Sequence, residues 1–205
     1  MQERQLSRQS SRQREILDKT LEIVRENGLA GLTTKKIAEK VGFTEAALYR
    51  HFPTKKALIG GLMDRLEDML IVPIQEIASD STASVEQRLQ RILSHHVRLI
   101  YEQNSLPILL LAEATASGDP ALLSRMRNIL HRYLSILEGL IREGRTKGLT
   151  EGGPEDDCLA LVLLGAPAAL GIRHRLLPDE RLERRFADTL IPYLVNSLLS
   201  KKGER

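Results

Sequence analysis

Residues 33–55 read TTKKIAEKVGFTEAALYRHFPTK, and this stretch decides the fold. Two short amphipathic segments lie in it, separated by one glycine. In the first, Thr34 caps a helix whose apolar positions are Ile37, Ala38 and Val41. Gly42 supplies a positive φ, which ends that helix and turns the chain. Thr44 caps a second helix that buries Ala47 and Leu48 and ends near Phe52, since Pro53 disfavours helix at the residue before it. Helix, short turn with glycine, helix is the pattern of a helix-turn-helix, whose second helix enters the DNA major groove. An ordinary helical hairpin has the same outline. The solvent face tells the two apart: it carries Lys35, Lys36, Lys40, Tyr49, Arg50, His51, Lys55 and Lys56, with Glu45 as the acid of the second helix. Phosphate contacts use that inventory.

Composition sets the outer bounds. A chain of 205 residues makes one or two domains and buries a sizeable core. Aromatics are 3% and Trp is absent, so Leu, Ile, Val and Ala must fill that core. Residues 1–58 carry 12 basic and 7 acidic side chains, the rest 18 and 20. A basic head on a slightly acidic body is expected to meet a polyanion through the head alone. The single cysteine, Cys158, excludes an intrachain disulfide framework and reads as a small buried hydrophobe. The polar N-terminus shows no signal peptide, and the longest uncharged apolar run, residues 159–172, is shorter than the ~20 residues that span a bilayer. The expectation is a cytoplasmic protein without a membrane segment.

Outward from the central stretch, residues 1–11 form a flexible basic arm with Arg4 and Arg8, either a plain disordered terminus or a segment that orders along DNA. Residues 12–27 make a helix through Ile16, Leu17, Leu21, Ile23 and Val24, and Leu29 and Leu32 close a three-helix core. The DNA-binding domain is thus expected at 12–54 and a helical body at 55–205. The periodicity predicts body helices over 55–71, 85–104, 106–117, 120–148, 154–175 and 179–199, with Pro73 ending or kinking the first. No strand pattern and no repeat is visible, so the fold class is all-α.

Residues 159–172 read as apolar all round, and a helix of that kind must be covered on every side, whereas one protomer of this size supplies cover on one side only. Gly165, Ala166, Ala168, Ala169 and Gly171 allow close approach of another helix. Candidates for a two-fold interface are Leu159, Val162, Leu163, Ala166, Ala169 and Leu170, with Phe186, Leu190, Tyr193 and Leu194 of the last helix. The alternative is a fully buried helix in a monomer.

The central stretch resembles the DNA-binding segment of the TetR family of bacterial regulators. The resemblance rests on Thr33-Thr34, Ile37-Ala38, Val41-Gly42, Leu48-Tyr49, His51-Phe52 and Lys55 at their mutual spacings. It implies that Thr33, Thr34, Tyr49, His51 and Lys55 hold the DNA backbone, and that the body dimerises through its last two long helices. It also implies an apolar effector pocket among the middle helices. Candidate lining is Leu66, His96, Leu99, Ile100, Leu110, Glu113, Tyr133 and Leu137, most of which suit a core equally well. Aliphatic lining suits an acyl or terpenoid-like molecule.

Thr44 can bring a helix N-terminus to a phosphate, and base reading falls to Glu45, Ala46, Ala47 and Arg50. Arg50 suits guanine O6 and N7, Glu45 can accept from cytosine N4, and an alanine methyl can meet that of thymine. Glu45 reads equally as a first-turn acid favoured by the helix dipole. Family members more often carry a small or basic residue at Glu45 and Gly-Thr at Ala46-Ala47, so base reading departs here from the family average.

His95 and His96 point about 100° apart on a helix and read as core-edge histidines rather than ligands of one ion. No cofactor, metal or catalytic constellation is expected. The leading expectation is a homodimeric, ligand-responsive repressor of a palindromic operator on double-stranded DNA. The run over 45–53 also looks like the recognition segment of TetR-related nucleoid-occlusion factors, which bind many chromosomal sites and act on a division protein. An enzyme is the third reading.

Overall fold

Ser10 starts the first helix through a capping box. Its hydroxyl accepts from the Gln13 N–H at 3.2 Å, and the Gln13 side chain accepts from the Ser10 N–H at 2.9 Å. The structure, a computed structural model, describes residues 10–149 and 153–199, which are helical with no strand among them. The expected arm lies outside these residues up to position 9, and Ser11 is already helical. Two compact units form, one from residues up to 66 together with 109–126, the other from 67–108 and 127 onward.

In the first unit, α1 (Ser11–Asn27) buries Ile16, Leu17, Leu21 and Val24, and a 3-10 turn (Leu29–Gly31) leads to α2 (Thr34–Val41). Thr33, not Thr34, caps α2: its backbone is extended and its hydroxyl accepts from the Lys36 N–H at 3.2 Å. Gly42 takes φ 75° and ψ 36°, a left-handed conformation that costs a side-chain-bearing residue energy, and so turns the chain into α3 (Glu45–His51). The cap of α3 is Thr44, whose hydroxyl accepts from the Ala47 N–H. Leu48 and Phe52 bury against the unit's core. Next, α4 (Lys55–Ala78) contributes Leu58, Ile59, Leu62, Met63 and Leu66 to that core. Gly61 lets α4 lie tight on α1, for a Cβ there would sit 2.9 Å from Leu17 Cδ2 and 3.1 Å from Phe52 Cε1. From α6 (Leu106–Ser117) and the start of α7 (Pro120–Thr146), Leu110, Ala114 and Leu122 are buried.

The second unit holds the rest of α4, α5 (Val85–Glu102), most of α7, α8 (Asp156–Leu176), α9 (Glu180–Arg185) and α10 (Ile191–Leu199). Both α8 and α10 pack on α5. Arg88 is buried here, its guanidinium donating to Glu143, to the Ala78 carbonyl at 2.8 Å and to the Ser84 carbonyl at 3.4 Å.

Three expectations need correction. Pro73 does not end α4, which runs on to Ala78: Ile71 and Ile74 on either side are fully buried and hold the turn that the missing N–H weakens. The last predicted helix is not uniform: a π turn, Phe186–Leu190, separates α9 from α10. Residues 159–172 are covered on one side only within the protomer: the 21-residue α8 buries Leu159, Ala160, Leu163, Pro167 and Leu170 and exposes the opposite side, which excludes the alternative of a helix fully buried in a monomer. By length and composition α8 could cross a membrane, yet its buried stripe packs on α5. Cys158 is exposed, and the charge of the adjacent Asp157 raises its thiol pKa.

His96 and Tyr133 form a buried polar pair, His96 Nδ1 lying 3.1 Å from the Tyr133 hydroxyl. Burial, and next the charge of His95, lower the His96 pKa from 6.5 to about 4. Between those values the unfolded chain binds the extra proton, so this contribution to stability is complete above about pH 6.5 and is lost as pH falls through 4. The expected loss is up to about 3 kcal/mol. Urea denaturation across this window measures it, and His96→Gln should flatten the slope.

Candidate nucleic-acid interface

The ten residues expected at DNA all fall in the first unit. Thr33 and Thr44 are the caps of α2 and α3, and Thr34 opens α2 half-buried. Glu45, Ala46, Tyr49 and Arg50 stand exposed on α3, with Ala47 half-buried. Lys55 is exposed at the first position of α4, where Thr54 accepts from the Ala57 N–H at 3.0 Å. At seven residues α3 is about 10 Å long, enough to lie along roughly three base pairs.

The electrostatics divide the cations of this unit in two. Lys19 pairs with Glu22, Lys40 with Glu26 and Glu22, Lys56 with Asp119, and Arg65 with Asp18. Among the described residues Lys35, Lys36, Arg50 and Lys55 make no such ion pair; all four are exposed, Arg50 on α3 itself, Lys35 and Lys36 in the first turn of α2, and Lys55 at the start of α4. Paired cations have their field cancelled nearby; these four keep theirs for a polyanion.

Sequence reasoning missed what steadies this surface. The Arg12 guanidinium lies 4.3 Å above the Phe43 ring, which stacks on His51 at 6.2 Å, while Gln13 Nε2 donates to the His51 carbonyl at 3.3 Å. The start of α1 thereby holds the end of α3. The spacing of Ser10 and Gln13, a capping-box pattern, was the available signal for that start. Thr34 Oγ1 donates to Glu45 Oε2 at 2.6 Å, a contact across the turn that no local rule announces.

The candidate effector residues divide between the units. Leu66, Leu110 and the half-buried Glu113 belong to the first; His96, Leu99, Ile100, Tyr133 and Leu137, all buried, belong to the second. His95 does not share its neighbour's surroundings. Its Nε2–H donates to the Met69 carbonyl at 2.8 Å, which leaves Nδ1 to accept from Arg98 at 3.0 Å.

Of the candidate interface residues, Leu159, Leu163 and Leu170 are buried within the protomer. Ala166, Phe186 and Leu194 are half-buried, whereas Val162, Ala169, Leu190 and Tyr193 are exposed. Val162, Gly165, Ala169, Ile172 and Leu176 make one exposed stripe at spacings of three and four along α8.

Residues 16–62 match the family model for bacterial regulatory proteins of the tetR family, and residues 63–159 that for the C-terminal region of YsiA-like protein. The chain is 30% identical over 161 residues to the nucleoid occlusion factor SlmA of Vibrio campbellii, covering 78% of this chain and 81% of that one. A TetR transcription regulator from Haloarcula marismortui superposes with a TM-score of 0.78 at 24% identity, covering 92% of this chain and 98% of the other. The regulator FadR of Bacillus subtilis, solved in complex with stearoyl-CoA, gives 0.74 at 20% identity over 89% and 97%. These likenesses to solved structures concern the fold.

Proposed function

The chain belongs to the tetR family of bacterial regulatory proteins, and from that premise we propose that it is a homodimeric repressor that leaves a palindromic operator when a small apolar molecule binds its body. A helix-turn-helix DNA-binding regulator is what family membership itself supplies; operator symmetry, effector and sign of control are the proposal. The observation that carries it is the set of cations around α3 without an ion pair, Lys35, Lys36, Arg50 and Lys55. We divide the chain into a head at 12–54 and a body at 55–205, working in the cytoplasm on the nucleoid.

In this reading Thr33, Thr44, Tyr49, His51 and Lys55 hold phosphates, and Arg50, with Glu45, Ala46 and Ala47, faces base edges. The body's aliphatic side chains, Leu99, Ile100 and Leu137 with the His96–Tyr133 pair, suit an effector of acyl type. The acyl-CoA held by the solved FadR neighbour supports that class. Similarity to a nucleoid occlusion factor fits a second reading without favouring it; dozens of chromosomal sites would support it, one or two the repressor.

Two variants test the division of labour. Lys55→Ala removes a phosphate partner and should weaken binding to all sequences alike, lowering the salt slope by about one per half-site. Arg50→Ala should cost about 1–3 kcal/mol per half-site and relax preference at one base position. Salt titration on specific and random duplexes measures both. Uniform loss for Arg50→Ala would make it a backbone contact.

A further inference from the structure

Thr34 and Glu45 meet across the turn of the helix-turn-helix, Oγ1 to Oε2 at 2.6 Å. A carboxylate only accepts, so the one hydrogen of the hydroxyl goes to Glu45. Phosphate oxygens also only accept. Bonded in this way, the Thr34 hydroxyl has no hydrogen left for the DNA backbone, the role its resemblance implied. The bond is not needed for capping either, since Thr33 caps α2 and Thr44 caps α3. Near the surface, water would serve both groups about as well.

What the bond fixes is the direction of the Glu45 carboxylate. An exposed side chain at the first position of α3 would otherwise swing; here a hydroxyl on the first turn of α2 holds one of its oxygens. The other oxygen remains open for a donor. In the major groove cytosine offers a lone amino donor, N4. Adenine sets the acceptor N7 beside its N6 donor, and guanine and thymine present carbonyls that repel a carboxylate. We propose that Glu45 reads cytosine N4 at one base pair in each half-site, and that Thr34 is a positioning residue that aims it. The proposal rests on the DNA-binding reading above.

The test uses the full-length chain, its selected operator and duplexes changed one base pair at a time at fixed salt. Replacing the cytosine should weaken wild-type binding roughly 5- to 100-fold per half-site. Glu45→Ala should reduce that discrimination to about twofold or less and leave other positions intact. Glu45→Gln should move the preference toward adenine, which a carboxamide contacts at both N6 and N7. Thr34→Val should lower the discrimination several-fold, Thr34→Ser should keep it, and Thr34→Val should add nothing in a Glu45→Ala background. Equal weakening of every duplex by Thr34→Val, in either background, would return Thr34 to the DNA backbone and overturn the proposal. So would an unchanged base profile for both Glu45 variants, which does not depend on Thr34→Val folding. A wild-type chain with no sequence-dependent binding would instead remove the DNA-binding reading, and the proposal with it.

Discussion

Ala169→Glu is expected to convert the protein from a dimer to monomers or aggregate at micromolar concentration. Ala169 sits mid-stripe on α8 between Val162, 49% exposed, and Ile172, 50% exposed, with Leu176 and Tyr193 at 72% and 70%. So much open apolar surface on the last helices calls for a partner. The small residues Gly165 and Ala169 within the stripe suit a second copy of the same helix. A carboxylate placed there would be buried without a counter-charge, at a cost of several kcal/mol. Light scattering reads the result, with Ala169→Ser as the control that stays dimeric. Operator affinity should fall with the dimer by about 10²–10⁴, since the second half-site is then no longer tethered to the first. A wild-type monomer would sink the interface assignment.

Glu143→Leu is expected to cost about 3 kcal/mol, because it leaves the buried Arg88 guanidinium charged without its carboxylate. The double variant Arg88→Met/Glu143→Leu should recover most of that loss, since no lone charge remains. Urea denaturation of the single and double variants measures both. A single variant within about 0.5 kcal/mol of wild type would make the pair an ordinary surface contact. Arg88, and next Lys147, hold the Glu143 carboxyl at about 2, below its ordinary 4.5. Its contribution is therefore complete above about pH 4.5 and is lost as pH falls toward 2. That window takes over where the one assigned to His96 ends, so stability should go on falling from about pH 6.5 toward pH 2.

Where local chemistry decides, the sequence was legible. Gly42, Thr44 and Pro53 bounded α3 correctly, and the expected break between 117 and 120 is that between α6 and α7. The sequence pattern puts the cap of α2 at Thr34, but Thr33, with the extended backbone of a cap, takes that place one residue earlier. Pro73 followed its local rule on paper and lost to the burial of Ile71 and Ile74. Hydropathy made residues 159–172 uniform, because it does not say which side α5 covers. The contacts that define the candidate site were out of reach for a similar reason. Thr34 and Glu45 stand eleven positions apart, Gln13 and His51 thirty-eight, and each pair meets only after the helices pack.

The most direct measurement of the central claim is selection of binding sites by the wild-type chain from a random pool of duplex DNA. The expected result is enrichment of a two-fold symmetric site whose half-sites are centred about 34 Å apart or a multiple of that, one for each α3 of a dimer. No enriched sequence, or a single unrepeated half-site bound by one chain, would contradict it.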